Sequence, residues 1–105
     1  MKNRVKILNY LGLARRANKL VAGSDIVLRM IKQRKIKIVF VAKDAAANTV
    51  KTFEKKCYFY KILLIYEFTS DELSKAIGKP NCKVLAITDQ GFFDAINGQL
   101  NGGIK

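Results

Sequence analysis

Lys37-Ile38-Val39-Phe40-Val41-Ala42 is the stretch that decides the fold. A half-exposed strand alternates apolar and polar residues. This run is nearly all apolar or β-branched, which fits a strand covered on both faces. Such a strand needs helices on either side, and the flanking sequence supplies them. Upstream, Ser24 is placed to cap a helix over Asp25–Arg34, with Asp25 in the first turn where the helix dipole favours an acid. Ile26, Val27, Met30 and Ile31 form its apolar face, Leu28 is also a core candidate, and Arg29, Lys32 and Arg34 lie off that face. Before it, Lys19-Leu20-Val21-Ala22 reads as a short strand stopping at Gly23. Earlier still, Val5, Leu8, Leu11 and Ala14 recur at helical spacing among Lys6, Asn9, Arg15 and Arg16, an amphipathic helix over Asn3–Ala17.

Downstream, Lys43-Asp44-Ala45-Ala46 is a loop, Ala47–Tyr60 a Lys-rich helix and Lys61–Tyr66 a strand. Thr69 or Ser70 caps a further helix through Ile77, with Asp71 and Glu72 in its first turn. Gly78 ends that helix and Pro80 prevents its continuation. Lys83–Thr88 is the last strand and Gln90–Leu100 the last helix. The αβαβαβαβα order predicts a three-layer α/β/α sandwich in one domain over residues 1–100, with a frayed tail at 101–105. Strands separated by helices usually lie parallel, and a short strand such as Leu20–Ala22 is the candidate for antiparallel pairing.

The chain has 105 residues, half of them hydrophobic, enough for one real core. Its formal charge of +12 is unevenly spread. Residues 1–37 hold eleven Lys or Arg and one acid, Asp25, so this third carries +10; the other 68 residues hold nine bases and seven acids. A concentrated basic stretch on a small domain is the footprint of a polyanion binder, most commonly a nucleic-acid binder. No apolar run approaches the roughly 20 residues of a membrane span, and no signal-peptide core follows the basic start, so a cytoplasmic protein without membrane contact is expected.

Catalytic groups are scarce. There is no His, which removes the commonest general base and any Ser-His or Cys-His nucleophile. No Walker loop and no glycine-rich dinucleotide turn is present. Cys57 and Cys82 have no metal-ligand spacing and read as buried free thiols, so neither a metal nor a cofactor is expected. Asp71-Glu72 read as helix-start acids. Asp44 is either a loop-capping acid or a functional one in a strand-to-helix loop. Tyr58-Phe59-Tyr60, beside Lys55, Lys56 and Lys61, either closes the core or stacks bases, and core closure is the favoured reading.

The runs Leu11-Gly12-Leu13-Ala14-Arg15-Arg16-Ala17, Lys19–Gly23, Ile38–Ala45, Ala76-Ile77-Gly78-Lys79 and Val84–Phe92 together resemble the kink-turn RNA-binding ribosomal-protein superfamily. Within it, the small bacterial YlxQ-like branch is the nearest in pattern. The resemblance spans roughly residues 7–97. It implies a mixed four-stranded sheet and a grip on a kinked RNA stem with sheared G·A pairs. In the superfamily that grip uses a Gly-x-(Asn/Lys)-(Glu/Gln)-x-x-Lys segment at the start of the second helix. Here the segment runs from Gly23 through Ser24, Asp25 and Ile26 to Arg29. Gly23 matches and Arg29 preserves the charge of Lys. Asp25 exchanges a donor for an acceptor, and Ile26, counted with them among the RNA-binding positions, replaces a residue that would hydrogen-bond a base edge, with helix packing as its other reading.

The second implied contact is the loop Lys79-Pro80-Asn81-Cys82-Lys83, more basic than in archaeal relatives. The expectation is therefore a monomeric, non-enzymatic binder of ribosomal RNA or kink-turn RNA, working alone or on the ribosome. Ser24 and Asp25 would meet the G·A edges. Arg29, Lys32, Arg15, Arg16 and Lys19 would meet phosphates, with Lys79, Asn81 and Lys83 on the loop. Two other readings stand beside it: a protein-interaction adaptor of the same fold, and the recognition domain of an RNA methyltransferase without its catalytic part.

Overall fold

The computed structural model describes residues 3–100; the expected frayed tail at 101–105 lies outside them. Five helices and four strands alternate along the chain: α1 (Arg4–Arg16), β1 (Leu20–Ala22), α2 (Ser24–Lys32), β2 (Ile38–Val41), α3 (Ala47–Tyr60), β3 (Leu63–Ile65), α4 (Ser70–Ile77), β4 (Val84–Ile87) and α5 (Gln90–Asn97). The strands form one mixed sheet in the order β1-β4-β2-β3. All four residues of β2 are buried, as its unbroken apolar run requires, and so are those of the other inner strand, β4.

The pleat sorts the side chains of β2 and β4 into two cores. Ile38, Phe40, Leu85 and Ile87 face a layer carrying Ile7 and Leu11 of α1, Leu73 of α4 and Ile96 of α5. Val39, Val41, Val84 and Ala86 face Val27 and Ile31 of α2 and Phe53 and Cys57 of α3. The result is the expected three-layer sandwich. Phe40 and Phe68 are fully buried with ring centroids 6.0 Å apart, so truncating Phe40 to Ala should cost about 3–5 kcal/mol. Cys57 and Cys82 are buried free thiols. Burial pushes the Cys57 thiol up to about 11, so it stays protonated at neutral pH.

Strand direction departs from the parallel expectation at β4. β2 and β3 are parallel, whereas β4 is antiparallel to both β1 and β2. The cause lies in α4 and the loop after it. Gly78 ends α4 in the left-handed conformation (φ 67°). The chain then doubles back beside the helix, and the Cys82 N–H donates to Ser74 Oγ at 2.8 Å. It re-enters the sheet at the end where β2 finishes instead of crossing over, so β4 must run backwards.

Element ends differ in smaller ways. α2 stops at Lys32, because Arg34 turns left-handed (φ 58°) and delivers Ile36 to the core. β3 starts at Leu63, since Lys61 is the left-handed cap of α3. α5 ends at Asn97. The tight approach of α1 to α4 depends on Gly12, where a Cβ would lie 2.8 Å from the Ala76 carbonyl oxygen. Arg4 ties the starts of the same helices: Nη2 donates to both Glu72 carboxylate oxygens at 2.8 and 2.9 Å, and the guanidinium lies 4.5 Å from the Phe68 ring centroid. No helix among the described residues is long and apolar enough to cross a membrane.

Candidate nucleic-acid interface

β1, β2 and β3 all run opposite to β4 or parallel to a strand that does, so their C-terminal ends share one end of the sheet. β4 begins there, as do α2, α3 and α4. Backbone bonds knit this end together: Gly23 N–H to the Val84 carbonyl (2.9 Å), Ala42 N–H to the Lys83 carbonyl (2.8 Å) and Lys43 N–H to the Phe68 carbonyl (2.8 Å). The topology thus brings Gly23, which opens one segment implicated by sequence, beside Lys83 and Val84, where the other, Lys79–Lys83, enters the sheet.

Gly23, not Ser24, is the N-cap of α2, and no side chain caps the helix. Ser24 is already helical, so its hydroxyl is displaced from the capping position. Gly23 has φ 118° and ψ 140°, a conformation that an L side chain rarely adopts. Its carbonyl accepts from Val27 N–H at 3.1 Å. The amides of Ser24, Asp25 and Ile26 therefore open the helix with no intrahelical acceptor, at the positive end of its dipole. Such an end suits a phosphate or another anionic oxygen.

Asp25, Arg29 and Lys32 follow i, i+4, i+7 spacing, and all three are exposed. This stripe is the outward edge of α2. Ile26 is half-buried, packing with Leu28 and Met30 against the α2–α3 core, which gives it a structural role.

In the second segment, Asn81 is exposed and left-handed (φ 56°), while Lys79 is half-buried. Burial raises the Cys82 thiol, and the positive charges of Lys79 and Arg15 oppose that rise. Lys83 is partly neutralised by Asp44, with Nζ 3.4 Å from Oδ2. Asp44 chiefly serves α4: it accepts from Ser70 Oγ at 2.6 Å and from Ser70 N–H at 2.8 Å. The hydroxyl and then the amide of Ser70 hold the Asp44 carboxyl well below the usual carboxylate range. The capping reading of Asp44 therefore describes the contacts it makes.

The remaining predicted residues are less concentrated. Arg15 and Arg16 line a groove of about 450 Å³ between α1 and α4, together with Lys75 and Gly78. Lys19 lies at the other end of β1, where its carbonyl accepts from Thr88 N–H. At about 3.3 Å per strand residue, it stands roughly 13 Å along the chain from Gly23.

Sequence reasoning passed over Lys43, which is exposed at the end of β2 beside the start of β4. It also passed over Asn48 and Thr49 in the first turn of α3, which with Ser24 and Leu28 line a cavity of about 170 Å³ between α2 and α3. Their signal was positional: loops after strands at the carboxyl end of a sheet are where α/β folds bind ligands. The aromatic cluster is a correction. Tyr58 and Phe59 are 88% and 73% exposed and do not close the core, because the α3 stripe that meets the sheet runs through Phe53 and Cys57. Only Tyr60 of the three packs inward.

Comparison with known proteins shows the family and the fold. The sequence profile of the ribosomal protein L7Ae/L30e/S12e/Gadd45 family matches residues 5–97. The RNA-binding protein YlxQ of Enterococcus faecium is 43% identical over 90 residues, covering 86% of each chain. The RNA-binding protein YlxQ of Bacillus subtilis is 42% identical over 82 residues, covering 78% of this chain and 82% of that one. Among solved structures, a Bacillus halodurans protein of unknown function superimposes with a TM-score of 0.87 at 30% identity, over 91% of this chain and 97% of its own. The Giardia lamblia 15.5kD RNA binding protein shares the fold, with a TM-score of 0.79 at 16% identity over 88% of this chain and 79% of its own. The chain is a YlxQ-like member of the ribosomal protein L7Ae/L30e/S12e/Gadd45 family.

Proposed function

We propose that this protein is a non-enzymatic, ribosomal-protein-like RNA binder that recognises structured RNA of the kink-turn kind through the start of α2. It acts as a cytoplasmic monomer on ribosomal or other folded RNA. The observation that carries the reading is the open, glycine-led start of α2, joined through Gly23 and Val84 to the basic Lys79–Lys83 loop. Relatives named as RNA-binding proteins support it, as does the engagement of Asp44 and Glu72 in capping α4.

In this reading, the first turn of α2 enters the widened groove beside a kink. Gly23 keeps the backbone free of a side chain where the RNA approaches. The amides of Ser24 to Ile26 receive a phosphate or a base oxygen, and the Asp25 carboxylate accepts from a guanine amino or imino group. Arg29 and Lys32 extend the contact along the exposed edge of the helix. Lys79, Asn81 and Lys83 approach from the loop. Arg15, Arg16 and Lys19 supply a broader positive field, so affinity falls steeply with salt.

The test is binding to a kink-turn RNA against the same stem with its G·A pairs changed to Watson–Crick pairs, at low and high salt. A preference of about tenfold or more, roughly 1.4 kcal/mol, that persists at high salt is expected. Equal, salt-sensitive binding to both would refute structured-RNA recognition. It would favour the adaptor reading instead, for which exposed Tyr58 and Phe59 are the relevant observation.

A further inference from the structure

We propose that the outer end of α3 is a second RNA-binding surface, which stacks unpaired bases on Tyr58 and Phe59. It lies at the opposite end of the sheet from the α2 start. α3 begins beside Gly23's end of the sheet and runs back over 14 residues, roughly 20 Å at 1.5 Å per residue.

The aromatic side chains here are arranged and not merely exposed. Tyr60 is half-buried, and the Arg34 guanidinium lies 5.1 Å from its ring centroid. Phe59 meets Tyr60 edge to face, with centroids 5.0 Å apart and planes at 79°. Tyr60 thus anchors Phe59, while most of the Phe59 and Tyr58 surface stays in water. The three rings with Lys55 and Lys56 line an open groove of about 540 Å³. Across Tyr60, a second cavity of about 240 Å³ is lined by Arg34, Lys37 and Lys61.

Charge decides which partner fits. The rings are surrounded by Arg34, Lys37, Lys55, Lys56 and Lys61, and Glu54 is the one acid in the sequence between Ala45 and Tyr66. Protein-binding patches are depleted in Lys at their centres. Aromatic rings interleaved with cations are the arrangement that holds single strands: phosphates meet the cations while bases stack on the rings, with little sequence preference. A strand flanking a stem bound at α2 would have this surface within reach, although the site does not depend on that stem.

The test uses the full chain, which has no Trp, so its tyrosine emission is readable. The probe is an unstructured oligouridylate, compared with a blunt kink-turn stem. Tyr58→Ser/Phe59→Ser should weaken oligouridylate binding by about tenfold or more, because the stacking rings are lost. Oligouridylate should quench the tyrosine emission of the wild type, and the serine variant should leave binding of the blunt stem unaffected. Lys55→Ala/Lys56→Ala should keep the quenching at saturation and flatten the salt dependence. Arg29→Ala should do the reverse: weaken the stem and spare the oligouridylate, so failure at one site is distinguishable from failure at the other. Tyr58 faces solvent and Phe59 loses only its edge-to-face contact with Tyr60, so a small drop in melting temperature with the fold retained is expected. Oligouridylate affinity unchanged in the serine variant would overturn the proposal. So would concentration-dependent self-association of the wild type that the variant loses while its oligouridylate binding stays the same; that result would assign the patch to a second copy of the chain.

Discussion

α2 and α4 begin at the same end of the same sheet, yet their first turns are finished in opposite ways. The start of α4 is closed. Thr69 Oγ1 accepts from Glu72 N–H at 3.2 Å while Glu72 Oε1 accepts from Thr69 N–H at 2.9 Å, a complete capping box. Asp44 takes the Ser70 amide, and Arg4 neutralises Glu72. The start of α2 has a glycine where a capping side chain would stand, and its first-turn amides are left without one. A capping Ser, Thr, Asp or Asn is worth about 1 kcal/mol, so its absence from this helix start is a stability forgone. Closed ends hold the fold; the open one is the place where a partner's anionic oxygens can complete the hydrogen bonding.

The comparison is broken most severely by giving Gly23 a side chain. Gly23→Ala forces φ 118° on an L residue, and about 1–3 kcal/mol of stability should be lost in urea or thermal unfolding. RNA affinity should fall further than any other single change at this site makes it fall. Arg29→Ala leaves stability alone and should cost about 1–3 kcal/mol of RNA affinity if it reads a base, or less with a shallower salt slope if it touches only phosphate. Filter binding at several salt concentrations separates the two, and unchanged affinity would remove Arg29 from the interface.

At the closed end the effects should reverse. Thr69→Ala should lower stability by about 1 kcal/mol, with RNA binding unchanged. The α4 carboxylates also predict a pH response. Ser70 lowers Asp44, while the Thr69 amide and then Arg4 lower Glu72. Groups depressed in the folded state stabilise it above their unfolded values, about 3.9 for Asp and 4.3 for Glu. That stabilisation is lost as pH falls through the folded values. Asp44→Asn/Glu72→Gln should therefore flatten the decline in melting temperature on acidification below about pH 5. The smallest effect belongs to Ser24→Ala. Since Ser24 does not cap α2, its loss should change stability by no more than about 0.5 kcal/mol; a loss near 1 kcal/mol would restore it to the capping role.

The layers were legible in the sequence because they follow from burial. The unbroken Ile38–Val41 run fits an inner strand, and the 3.6-residue spacing named Leu11 and Ala14 of α1 and Val27 and Ile31 of α2, but it placed Val5 on the α1 stripe, where Val5 is exposed and Ile7 is the residue that meets the core. The direction of β4 was not legible from the αβ alternation. It depends on a left-handed turn at Gly78 and one hydrogen bond from Cys82 to Ser74, neither of which periodicity records. The pairing of the α2 start with the Lys79–Lys83 loop came from family resemblance, and the Gly23–Val84 bond supplies its physical reason. The exposure of Tyr58 and Phe59 was misjudged for a related cause. A helix end rich in aromatics usually closes a core, but rotation about α3 is set by Phe53 and Cys57, and that places both rings on the far side.

The central claim, that the open start of α2 receives the RNA, is tested most directly by following backbone amide resonances as a kink-turn RNA is titrated in. The amides of Ser24, Asp25 and Ile26 should shift to new saturating positions, while those of Ser70, Asp71 and Glu72 at the closed start of α4 stay near their free values. Saturation with the α2 amides unmoved, or with the α4 amides moved instead, would contradict the account.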